Sequence, residues 1–105
     1  MDVERYRSIV DDWTAFQEAA RRPLPATIWT NRLRTTPEDL ARLLAAEGIA
    51  VAPLAWYPGG FRLPAATRPG ALWPVVAGLS LIQEEVAMIP VLLLDLAPHH
   101  RVLDL

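Results

Sequence analysis

The 105 residues contain no cysteine and no lysine, few glycines, and no apolar run long enough to cross a bilayer. Without cysteine there is no disulfide framework, no thiolate nucleophile and no thiolate metal site. That fits a cytoplasmic protein, which is the expected location. The densest apolar stretch, Val86 to Leu96, is about half the length a membrane span needs. Met1 is followed by Asp2 and Glu4 instead of a basic region and an apolar core, so no secretory signal is visible. All ten basic residues are arginine. Composition bias accounts for this, or else some arginines serve planar phosphate and base contacts. Twelve acids leave a net charge of −2, which excludes a uniformly basic nucleic-acid binder and leaves only local patches.

What is present is globular: 52% apolar and 21% charged, enough for one domain or one domain plus part of the next. Asp2 to Ala20 reads as a helix, with Tyr6, Ile9, Val10, Trp13 and Phe16 on one face. Arg21 to Pro25 ends it, because residues before proline avoid the helical region. Thr27 to Asn31 alternates β-branched and aromatic residues and predicts a strand. A second helix has the clearest local signature. Thr36 caps it, Pro37 takes its first position, Glu38 and Asp39 fill its first turn, and Gly48 stops it. Ile49 to Trp56 predicts a second strand, placed at an edge or a bulge by Pro53. Pro58-Gly59-Gly60 predicts a turn, with Phe61 to Leu63 pairing back. Ala71 to Ala77 predicts a short helix or turn, and Leu79 to Ile82 a further short strand.

The last third holds the greatest apolar density. Glu84 and Glu85 open a run with apolar residues at 86, 88, 89, 92, 93 and 96, which predicts a helix kinked at Pro90. Pro98, His99 and His100 make a turn, and Val102 to Leu105 reads as a short buried strand. A helix, a tight turn and a strand carrying an acid is a common opening of doubly wound sheets.

Asn31, Arg32 and Arg34 at the exit of the first strand, with Arg62 on the hairpin, form the best candidate site. Arginines beside a helix N-terminus suit phosphates, and aromatic neighbours suit stacked bases. The competing account is a solvated strand end in which Arg34 pairs with Glu38. Trp13 and Trp29 lie at apolar-periodic positions and belong in the core. Trp56, before a Tyr-Pro-Gly-Gly stretch, is the better surface candidate. Glu84 and Glu85 point about 100° apart on a helix, so they read as helix-start acids and not as paired catalytic acids. His99 and His100 lack spaced partner ligands and read as a loop pair. No nucleophile set, phosphate-binding glycine loop or metal spacing is present.

Five stretches together carry a family likeness: Arg22 to Pro25, Trp29 to Glu38, Trp56 to Leu63, Gly78 to Val91, and Arg101 to Leu105. In order and spacing they resemble the N-terminal part of the NOL1/NOP2/Sun family, S-adenosylmethionine-dependent RNA cytosine-5 methyltransferases. The resemblance runs from about Tyr6 to Leu105. It implies a small α+β RNA-binding module over residues 1–77, a mixed or antiparallel sheet with helices on one face. Residues 78–105 are then the linker helix and first strand of a truncated Rossmann-like methyltransferase domain. It further implies that Asn31, Arg32, Arg34, Arg62 and Trp56 meet RNA, ribosomal RNA in particular. Asp104 would begin an incomplete S-adenosylmethionine site.

In that family the strand at Val102 to Asp104 runs into a cysteine-containing loop that binds the methyl donor, and a later cysteine attacks the pyrimidine. Neither is found here, and covalent attack at cytosine C6 needs a thiolate. These residues are therefore expected to bind no cofactor and to act with a catalytic domain in cis or in trans. The other expectation is a non-catalytic subunit that pairs through its C-terminal strand with a separate catalytic chain, or with itself, since an unpaired apolar edge templates strand addition.

Overall fold

A computed structural model describes residues 3–104. Four antiparallel strands form one sheet: β1 (Thr27–Thr30), β2 (Ala52–Leu54), β3 (Tyr57–Arg62) and β4 (Ser80–Ile82), in spatial order β2-β3-β1-β4. Ile28 stands opposite Phe61 on one side and Ile82 on the other, and Trp29 opposite Gly60 and Leu81. Because successive side chains alternate faces, Ile28 and Phe61 share one face while Trp29 lies on the other. Against the first face lie helix α2 (Pro37–Ala46) and the short α3 (Trp73–Val76). Ile28, Leu40, Leu44, Phe61, Leu63 and Leu72 make the core there, with Ile28, Leu40 and Leu44 fully buried. Each such side chain is worth about 1.5–3 kcal/mol of burial.

Helix α2 forms as its sequence predicts. The Thr36 side chain accepts from the Asp39 N–H at 3.1 Å, and Pro37 needs no partner at the first position. At the other end Gly48 takes a positive φ of 75°, and the Ile49 N–H returns to the Leu44 carbonyl at 3.0 Å. The sheet also extends past residue 77. β4 is its fourth strand, and the Thr27 hydroxyl donates to the Gln83 carbonyl beyond it.

Several expectations are corrected. The first helix is two pieces, a 3-10 helix at Glu4–Ile9 and α1 (Trp13–Arg21), with Asp2 outside the described residues. Val10 is extended between them, and the Asp12 carboxylate caps α1 by accepting from the Ala15 N–H at 2.9 Å. A cap in mid-pattern starts a new helix even where apolar periodicity continues. Trp13 stacks on Phe16 with ring centroids 5.3 Å apart, half-buried and outside the core, and Trp29 is likewise only partly buried.

The second strand is only three residues long, and Pro58-Gly59-Gly60 lies inside β3, not in a turn. The chain reverses earlier, at Ala55-Trp56. Within the strand position 60 takes glycine because a Cβ there would fall 2.6 Å from Leu54 Cδ1, and the β2–β3 register shifts between Pro53 and Leu54.

The terminal helix is not one kinked rod. A 3-10 helix at Glu85–Met88 gives way to α4 (Ile89–Leu93), and Pro90 stands in its first turn, where a missing N–H costs nothing. Asp95, at φ 46°, follows soon after its end.

Val102 to Asp104 form no strand and are exposed, and Leu105 lies outside the described residues. A strand exists through its ladder, and no neighbouring strand meets these residues among those described.

Candidate nucleic-acid interface

β1 stops at Thr30 because Asn31 redirects the hydrogen bonding. Its N–H donates to the Leu79 carbonyl at 2.9 Å, as the next rung of the ladder would, but its side chain turns the chain. Asn31 Oδ1 accepts from the Leu33 N–H at 3.2 Å, and its backbone carbonyl accepts from Arg34 and Thr35 at 2.9 and 3.0 Å. Short amides that bond two residues ahead close turns of this kind. Asn31 Nδ2 donates to the Gly78 carbonyl at 2.9 Å, and Arg34 Nη1 to the Ala77 carbonyl at 2.7 Å. Gly78 makes this possible. It sits at φ 70°, and a Cβ on it would lie 2.7 Å from the Arg34 guanidinium.

Between those two anchors Arg32 and Leu33 face outward. The Arg32 guanidinium carbon stands 5.9 Å from the centre of the Tyr57 ring, a cation–π distance. Tyr57 in turn packs on Trp29 with centroids 5.4 Å apart. Beside Arg32 lies a groove of about 360 Å³ lined also by Thr35, Thr36, Pro37, Glu38 and Pro58.

Arg62 lies elsewhere and is differently engaged. Glu85 receives Arg62 Nε at 2.8 Å and Nη2 at 2.7 Å, one on each oxygen, and the Trp56 indole N–H at 2.8 Å. The bond from Arg62, then that from Trp56, holds the Glu85 carboxyl below its ordinary range, and Glu85 holds the Arg62 guanidinium above its own. Bidentate pairing of this geometry is strong for a surface contact. Trp56 is 41% exposed. Together with Leu24, Pro25, Glu85, Val86 and Ile89 it lines a second groove of about 210 Å³.

The structure thus splits the expected site into two groups. Asn31, Arg32 and Arg34 share one turn, with Arg34 on a backbone carbonyl and not on Glu38. Arg62 and Trp56 share a carboxylate. Asp104 is exposed, outside any element, and joins neither. Glu85 is a first-turn acid, as expected, but its partners lie 23 and 29 residues away, and no local spacing announces them. Tyr57, Leu33 and Gly78 were also unassigned. Gly78 followed by a strand was the one available signal, for a turn of positive φ. His99 and His100 sit ring against ring in the loop after α4. No group of three or more metal-ligating side chains occurs among the described residues, and no helix there is long and apolar enough to cross a membrane.

A family model, Methyltr_RsmF/B-like, ferredoxin-like domain, matches residues 3–68. The 28S rRNA (cytosine-C(5))-methyltransferase of Mus musculus is 37% identical over 92 residues, covering 86% of this chain and 12% of the mouse protein. The 25S rRNA (cytosine-C(5))-methyltransferase nop2 of Schizosaccharomyces pombe is 33% identical over 98 residues, 91% of this chain and 16% of its own length. Ribosomal RNA small subunit methyltransferase F of Escherichia coli O157:H7 is 35% identical over 95 residues, 85% of this chain and 20% of that protein. The chain therefore spans between 12% and 20% of the length of these relatives. The small antiparallel sheet with helices agrees with the ferredoxin-like description. This chain belongs to the NOL1/NOP2/Sun family of RNA cytosine-5 methyltransferases and carries its N-terminal RsmF/B-like ferredoxin-like domain.

Proposed function

We propose that this chain is the RNA-binding N-terminal module of a ribosomal RNA cytosine-5 methyltransferase, positioning RNA for an S-adenosylmethionine-dependent, Rossmann-like catalytic domain. The observation that carries the reading is the turn at Asn31–Arg34. It sets Arg32 beside a groove at the start of α2 and Arg34 against the Ala77 carbonyl, and neither is in an ion pair within the described residues. Arg34 uses one donor on Ala77, so its remaining donors are available to an anion. Arg32 and Arg34 are the phosphate contacts, and Asn31 shapes the turn. Arg62 and Trp56 take part once Glu85 is displaced.

Asp104 alone does not make a site for S-adenosylmethionine. Methyl transfer belongs to a catalytic domain, in cis or in trans. Val86, Leu92, Leu93 and Leu103, all exposed apolar side chains of the C-terminal segment, support packing against such a domain.

The test is RNA affinity against salt, using a ribosomal RNA fragment. Arg32→Ala should lower the slope of log K against log salt by about 1, the share of one phosphate contact. Wild-type affinity and slope in that variant would sink the assignment.

A further inference from the structure

We infer that the four residues Asn31 to Arg34 divide into a frame and a reader. Asn31 and Arg34 hold the turn, Arg34 keeping its remaining donors for a neighbouring phosphate, while Arg32 and Leu33 meet an unpaired nucleotide, Arg32 at its phosphate and Leu33 at its base. The inference rests on the RNA-binding reading and deepens it by naming the substrate class, single-stranded RNA.

Leu33 is 97% exposed, the most exposed large apolar side chain among the described residues. A single exposed leucine is ordinary on a loose loop. This one is on a turn fixed from both sides. Its own N–H is held by Asn31 Oδ1, and the next two N–H groups by the Asn31 carbonyl. Asn31 Nδ2 and Arg34 Nη1 then tie the turn to Gly78 and Ala77 across the α3–β4 connection. So many bonds at one tip leave Leu33 little freedom to fold back onto apolar surface. With the backbone fixed in advance, contact at Leu33 orders only its side chain, which favours an anchor at this position.

The neighbours indicate the chemistry of the partner. Arginines flank Leu33 on both sides in sequence, and Arg32 borders the groove at the start of α2. An apolar side chain next in sequence to a cation suits a nucleotide, which offers a base face and a phosphate. A base offers its face to a leucine only when unstacked, so an unpaired segment fits and a duplex does not.

The experiment measures binding of the 105-residue chain to a short unstructured oligoribonucleotide and to a hairpin duplex of the same composition, across a salt series. Leu33→Ala should weaken single-strand binding roughly tenfold, the scale of losing a leucine's burial, with the salt slope unchanged. Leu33→Met should retain most of the affinity, and duplex binding should be weaker in wild type and indifferent to either change. Arg34→Lys, which keeps the charge but not the planar fork, should weaken binding in proportion to displacement of the turn, seen as shifted amide resonances of Leu33 and Gly78. Wild-type affinity in Leu33→Ala, or equal preference for the duplex, overturns the inference while leaving RNA binding intact. No binding of either RNA by the wild-type chain at low salt overturns the underlying reading and the inference with it.

Discussion

Two exposed arginine sites, on the same small domain, meet opposite fates. At the Asn31–Arg34 turn the arginine partners are a backbone carbonyl and an aromatic ring, so both charges survive. At Arg62 the partner is a carboxylate that matches both faces of the fork, so the charge is cancelled in place. A count of basic residues rates the sites alike. The electrostatic potential at the surface does not, because a neutral acceptor orients a guanidinium without neutralising it. The two also differ in what they hold. The first ties β1 to the α3–β4 connection within the sheet domain. The second ties β3 to the segment that follows the last strand.

The largest expected effect comes from breaking the frame of the first site. Gly78→Ala places a Cβ against the Arg34 guanidinium and forces a non-glycine residue into the left-handed region, which costs about 1–2 kcal/mol in backbone conformation alone. A urea melt should show a lower midpoint, and the Asn31 and Arg34 contacts should loosen together. An unchanged midpoint would mean the turn does not depend on that close approach.

Next in size is the release of the second site. Glu85→Gln removes the charge that cancels Arg62, so RNA affinity at low salt should rise and the salt slope should steepen by about 1. Arg62→Ala in the otherwise native chain should scarcely change the slope, whereas added to Glu85→Gln it should remove the gain. If both backgrounds respond equally to Arg62→Ala, Glu85 does not control that arginine.

The smallest effect is a pH dependence confined to the second site. The folded state holds the Glu85 carboxyl below its unfolded value, so its contribution to stability is present above the ordinary carboxylate range and is lost as pH falls through the lowered value. The Arg62 shift is upward from an already high value and contributes no loss at working pH. Acid titration followed at the Trp56 indole N–H resonance should give a transition below the usual glutamate range, absent in Glu85→Gln. Resonances of the Asn31–Arg34 turn should not follow it.

Local chemistry in the chain was enough to specify α2 from cap to stop, because Thr36, Pro37 and Gly48 act within a turn of themselves. It specified the existence of a small sheet, mixed or antiparallel, and the position of β1, but not the turn that begins at Asn31. Order and spacing of several short segments were enough to identify the family, which no single motif could do. Tertiary structure alone decided the rest. Whether Gly59 and Gly60 lie in a turn or a strand depended on the pairing of β3 with β1 and β2. Whether Val102 to Asp104 form a strand depended on a neighbour to share hydrogen bonds. Which arginine charges are left uncompensated depended on Glu85 reaching Arg62 across 23 residues, and on Ala77 lying beside Arg34 across 43. Each of these is a contact between distant positions, and the periodicities of a single chain carry no information about which distant groups will meet.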